Sequence, residues 1–170
     1  MKLASLEAIV GVLNEASVRY LIAGGLAVNA HGYIRHTQDV DLVIALDSAN
    51  VLRAFAMLGK LGYKPSVPIT PEQFANAELR REWIRDKFMK VLNFYSDKHR
   101  ETTVDVFVDE PFDFEREYVV AMQGELAPGL NVRFVSLPTL IAMKEEANRP
   151  RDLDDIQHLR WILEEQKSDE

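Results

Sequence analysis

The chain has 170 residues, 47% of them hydrophobic and 28% charged, a balance that builds a globular core rather than a disordered or fibrous chain. With no cysteine, disulfides, thiolate metal sites and a cysteine nucleophile are excluded, and a reducing, cytoplasmic setting fits best. The net charge of -7 is uneven: residues 1–85 carry 9 Lys and Arg against 8 Asp and Glu, and residues 86–170 carry 11 against 19, which disfavours broad nonspecific nucleic-acid binding. The first sixteen residues carry Glu7 and Glu15 within their apolar pattern, unlike a secretory leader. No stretch approaches the roughly 20 apolar residues that would cross a bilayer.

In chain order, Leu3, Leu6, Ile9, Val10 and Leu13 recur at helical spacing and predict an amphipathic first helix. Val18 to Ala23 reads as a buried strand stopped by Gly24-Gly25. Leu26 to Ala30 follows as a short helix that Gly32 closes. Arg35 to Ile44 alternates strictly, with Val40, Leu42 and Ile44 on one side and Arg35, Thr37, Asp39 and Asp41 on the other. Asn50 to Leu61 is a helix ended by Gly62, and Pro65, Pro68 and Pro71 mark a loop. Glu72 to Phe88 is expected as one helix containing Trp83. Met89 to Tyr95 and Thr102 to Val108 form a hairpin about Ser96 to Arg100. A strand at Val132 to Val135 precedes two helices, Leu137 to Ala147 and Leu153 to Glu165, with Ser136 and Asp152 as their N-caps. The pattern gives a single α/β (α+β) domain, a mixed β-sheet flanked by helices. Its core spans about residues 1–112, and C-terminal elements fill 113–170.

The chemistry gathers on three acids. Residues two apart on a strand point the same way, about 6.5 to 7 Å apart, so Asp39 and Asp41 converge. Carboxylates that close raise each other's pKa unless a cation neutralises them, and hard divalent metals prefer oxygen ligands. Asp105 lies on the Thr103, Asp105, Phe107 face of a strand whose other face is Val104, Val106 and Val108; if that strand adjoins the one carrying Asp41, all three acids meet. Three carboxylates can hold the two metals used in in-line phosphoryl displacement. Gly24-Gly25 is either a tight strand-to-helix turn or a turn bare enough for a triphosphate to approach. Its spacing is not that of a Walker A loop.

Read together, Gly24-Gly25-Leu26-Ala27, His31-Gly32, Arg35, Thr37, Asp39 and Asp41, with Val104-Asp105-Val106-Phe107 further on, resemble the DNA polymerase beta nucleotidyltransferase superfamily. Within it the chain is similar to the small bacterial and archaeal nucleotidyltransferases of the AbiEii/AbiGii type. The resemblance implies the nucleotidyltransferase fold and NMP transfer from an NTP with Mg2+ (or Mn2+) held by Asp39, Asp41 and Asp105. Gly24 and Gly25 fill the glycine positions, but the superfamily's triphosphate-binding serine is absent, because Gly25 stands there. It also implies a hydroxyl acceptor on RNA, such as tRNA, or on protein, and a small helical toxin or antitoxin partner.

The run from Leu140 to Lys144 and on from Asn148 to Asp155 matches the same subgroup. Lys144 is a candidate phosphate contact, as is Arg149; the bland reading makes them parts of a helix junction. Arg35 either binds phosphate or neutralises the acids, with Thr37 beside it. His31 reads better as a helix-end residue than as a nucleotide contact, and no histidine has zinc-like spacing. Arg80, Arg81, Arg85, Lys87 and Lys90 form either a solvated face around Trp83 or a guide for RNA. The rival to an enzyme is a non-catalytic module of the same fold that pairs with a partner protein.

Overall fold

The structure, a computed structural model, describes residues 1–169. Its elements in order are α1 (Leu3–Glu15), β1 (Tyr20–Ala23), α2 (Gly24–Ala30), β2 (Asp39–Ile44), α3 (Ser48–Lys60), β3 (Lys64–Pro65), α4 (Pro71–Ala75), α5 (Ala77–Lys87), β4 (Val91–Tyr95), β5 (Thr103–Phe107), α6 (Phe114–Val120), β6 (Met122–Ala127), β7 (Leu130–Phe134), α7 (Leu137–Ala147) and α8 (Pro150–Ser168). The seven strands make one mixed sheet in the order β3-β4-β5-β2-β1-β7-β6. The β2–β5 and β1–β7 pairs are parallel and the others antiparallel. Among the described residues, no helix is long and apolar enough to cross a membrane.

The alternation in the central strands decides which face is covered. Val40, Leu42, Leu92, Phe94, Val104 and Val106 are essentially inaccessible, and on that side Phe55 of α3 packs edge-on to Phe94 and beside Phe74 of α4. The intervening Asp39, Asp41, Asn93, Thr103, Asp105 and Phe107 are only half-buried. One face of β4–β5–β2 is therefore a hydrophobic wall, and the other is open enough for chemistry.

Several expectations are corrected. The strand begins at Asp39 rather than Arg35, because Asn29 of α2 takes both backbone groups of Arg35: its side-chain oxygen accepts from the Arg35 N–H, and its amide donates to the Arg35 carbonyl. A residue bonded that way cannot join the ladder. The helix expected over 72–88 is two. Asn76 has extended backbone and its side chain accepts from the N–H groups of Glu78 and Leu79, so it caps a new helix rather than continuing the old one. Asp152 is not an N-cap. The last helix starts at Pro150, and Asp152, one turn inside, accepts from the Arg149 N–H. Ser136 occupies the N-cap of α7 but makes no side-chain cap; its own N–H donates to the buried Glu117, which also accepts from the Thr139 hydroxyl. The elements β3, α6 and β6 were not anticipated.

Candidate active site

The three acids come from two strands whose register sets them side by side. Strands β2 and β5 run parallel with Asp41 opposite Asp105 and Asp39 opposite Thr103, so all three carboxylates lie on the open face of the sheet. Two neighbours that the sequence reading missed hold them. The Asn93 amide donates to Asp105 at 2.8 Å from the directly opposed position on β4, and the Thr103 hydroxyl donates to Asp39 at 2.5 Å. Both lie at alternate positions on their strands, but pairing register, which selects them, is not written in either strand alone.

The electrostatics follow from this crowding. Burial, then the charges of Asp105 and Asp39, push Asp41 up to about 6, against the opposing pull of Lys144 and Arg149. Asp105 is likewise raised, first by burial and then by Asp39, while the Asn93 amide works the other way. The acid face thus carries more negative charge than its surroundings neutralise.

The glycine turn presses on this face. Gly24 has φ +61, and a Cβ placed on it would lie 1.9 Å from Asp41 Oδ2, so no side chain fits between turn and acid. A Cβ on Gly25 would lie 2.7 Å from Thr37 Oγ1, 2.9 Å from Thr37 Cβ and 3.2 Å from Arg35 Nη1. Arg35 and Thr37 reach the turn from an irregular loop rather than from the strand expected for them.

Lys144 and Arg35 belong to a second cluster. The Lys144 ammonium, 4% exposed, donates to Asp152 at 3.0 Å and Asp155 at 2.7 Å. Arg35 grips Asp155 through Nε and Nη2 at 2.7 and 2.8 Å, and Arg149 holds Asp152 through Nε at 2.8 Å. Burial alone would raise both acids. The Arg149 and Lys144 hydrogen bonds instead hold Asp152 at about 2, and Arg35 and Lys144 lower Asp155. His31 Nε2 meets the Val135 carbonyl at 2.8 Å and serves packing between α2 and the strand end.

The donor set suits a hard divalent ion: oxygen ligands only, with an uncompensated negative charge. Among the described residues, no three acidic or histidine side chains are already arranged around one ion; Asp39 is turned to its hydroxyl and one oxygen of Asp105 to its amide.

A family model described as aminoglycoside-2''-adenylyltransferase matches residues 5–159. The chain belongs to this family. Among solved structures, it is similar to the lincosamide antibiotic adenylyltransferase LnuA with lincomycin bound, at 14% identity over 94% of this chain and 96% of that one, with a TM-score of 0.62. It is also similar to ANT(2'')-Ia in complex with adenylyl-2''-tobramycin, at 15% identity over 97% and 91%, with a TM-score of 0.58. At such identities the likeness is one of fold, the nucleotidyltransferase fold. No curated protein matches the sequence significantly.

Membership in the adenylyltransferase family supports nucleotidyl transfer and replaces the AbiEii/AbiGii assignment. The match supports neither a toxin or antitoxin partner nor an RNA or protein acceptor. Of the basic segment read as either a solvated face or a guide for RNA, two members are committed within the fold. Arg80 is buried, donates to the Phe74 carbonyl and lies over the Phe74 ring, while Arg85 is spent on Asp86.

Proposed function

We propose that this chain transfers the adenylyl group of ATP to a hydroxyl of a small polar antibiotic, with an aminoglycoside as the first candidate acceptor. The observation that carries this reading is the register of β2 and β5, which sets Asp41 against Asp105 with Asp39 alongside, under a glycine that admits no side chain, in a chain of this family. In the transfer, the acceptor oxygen bonds to the α-phosphorus as the bond to the pyrophosphate oxygen breaks. The hydroxyl proton goes to Asp105, at the oxygen that the Asn93 amide leaves free. Asn93 keeps that carboxylate turned toward the face, and Gly24 leaves the approach to Asp41 clear.

Asp39, Asp41 and Asp105 would hold magnesium or manganese. Bound there, the ion would supply neutralising charge and Lewis acidity toward phosphate oxygens. Arg35, with one edge on Asp155, turns Nη1 toward the glycine turn, where a phosphate oxygen can meet it, and Lys144, buried between Asp152 and Asp155, fixes that edge from behind.

The test is direct. Purified protein is incubated with ATP, magnesium and separate aminoglycosides and lincosamides, and the products are weighed by mass spectrometry. Wild type is expected to add one AMP unit to at least one aminoglycoside and release pyrophosphate, and Asp41→Asn to add none. Transfer to lincosamides alone would change the acceptor; ATP binding without transfer to any antibiotic would overturn the assignment.

A further inference from the structure

We propose that Thr37 supplies the hydroxyl that binds the nucleotide's triphosphate, in the space that a side chain at position 25 would otherwise fill. The inference rests on the adenylyltransferase reading and names a contact within that site.

The argument is steric. Gly25 opens the turn beside the acids, and the atoms nearest to where its Cβ would stand are Thr37 Oγ1 at 2.7 Å and Thr37 Cβ at 2.9 Å. Contacts so short mean that positions 25 and 37 cannot both carry a side chain there unless the backbone moves. Threonine cannot yield by extending elsewhere, since it is short and β-branched. One of the two positions must be bare, and here it is 25. The hydroxyl therefore comes from the loop before β2 instead of from the turn.

That loop is built to hold it. Asn29 fixes the Arg35 backbone from both sides, and the Arg35 guanidinium is pinned by Asp155 and by the His36 carbonyl. None of these bonds engages the Thr37 side chain, which stays half-buried against the turn. A hydroxyl held in place without a hydrogen-bond partner among the described residues, beside a guanidinium nitrogen 3.2 Å from the same Cβ position, is matched to an anionic oxygen: the hydroxyl donates one bond and the cation supplies the field.

The experiment needs no acceptor. Binding of α,β-methylene ATP with magnesium is measured by calorimetry on wild type, Thr37→Ala, Thr37→Ser, Thr37→Gly, Gly25→Ser and the exchange Gly25→Ser/Thr37→Gly, with AMP as the ligand lacking the outer phosphates. Circular dichroism and thermal melting establish that each variant is folded. Thr37→Ala and Thr37→Gly are expected to weaken the triphosphate about tenfold, the worth of one charge-assisted hydrogen bond, and to leave AMP binding within about twofold. Thr37→Ser should stay near wild type. Gly25→Ser alone should weaken binding through the collision, and the exchange should bind more tightly than either of its single variants.

Unchanged triphosphate binding in folded Thr37→Ala, equal losses for AMP and triphosphate, or an exchange no tighter than Thr37→Gly would each overturn the proposal while leaving the adenylyltransferase reading intact. A wild type that binds no triphosphate would overturn both.

Discussion

Two clusters of buried charge lie close together in this fold, and they solve the cost of burial in opposite ways. On the open face of β2 and β5, three carboxylates of one sign stand together with only an amide and a hydroxyl to hold them. At the α7–α8 junction, two carboxylates that are 0% and 1% exposed meet one buried ammonium and two guanidinium groups. The second cluster is complete in itself. The first has no cation in hydrogen-bond contact among the described residues, and an arrangement that costs stability in the isolated chain is one that function has to justify.

The comparison breaks hardest at Gly24. Gly24→Ala puts a methyl group 1.9 Å from the Asp41 carboxylate and strains a backbone at φ +61. AMP transfer is expected to fall at least about a thousandfold, as when one member of a catalytic unit is removed; a rate within tenfold of wild type would show that Asp41 can be displaced without consequence. Next in size is Lys144→Ala, which leaves two buried carboxylates with one arginine each. Denaturant unfolding should show a loss of about 3 kcal/mol, the low end for a broken buried pair because partners remain. A loss under about 1 kcal/mol would mean that the network is not what fastens α8.

The third prediction turns the two clusters against each other in pH. Asp41 has a folded-state value of about 6 against an ordinary 3.8. Between those values the native chain holds a proton that the unfolded chain has released, and this contribution to stability is lost as pH rises from about 4 through 6. Asp152, held at about 2, behaves oppositely: its contribution is present above about 4 and is lost as pH falls toward 2. Asp41→Asn should therefore stabilise the metal-free protein at neutral pH by about 2 to 3 kcal/mol, the worth of roughly two pKa units, while abolishing transfer. Saturating magnesium should narrow the difference by stabilising wild type. If Asp41→Asn melts no higher than wild type without metal, the acid face is not under the stress described.

How far each cluster was legible in the sequence differs for the same physical reason. The acid face rests on a period of two within single strands, so Asp39, Asp41 and Asp105 were visible as residues on one face, as was the buried wall of Val104 and Val106. What joins them, the parallel pairing of β2 with β5, is a long-range register that no local pattern encodes, and Asn93 and Thr103 were missed with it. The α7–α8 network depends on a helix junction and on a loop 120 residues away from Asp155. Lys144 and Arg35 therefore stand out in the sequence for their charge, but nothing local joins them to their shared partner Asp155. Strand ends failed where a side chain outcompeted the ladder: Asn29 captures the Arg35 backbone and shortens β2, and Asn76 cuts one apolar helix pattern into two.

The smallest expected effect separates the rim of the network from its centre. Arg149 holds Asp152 at 2.8 Å, between the 3.0 and 2.7 Å at which Lys144 holds its two acids, yet its side chain is 51% exposed where Lys144 is 4%. Distance alone would rank the two alike; solvent does not. An exposed arginine exchanges its bond for water at little cost, and its charge is screened by mobile ions, so Arg149→Gln should cost under about 1 kcal/mol and less still in high salt. The Lys144→Ala loss should hardly respond to salt, because no ion reaches that amine. Unfolding curves for both variants at about 0.05 and 1 M sodium chloride, roughly fourfold to fivefold apart in screening length, measure this. If the two losses shrink together with salt, water reaches the centre of the network and the contrast with the acid face disappears.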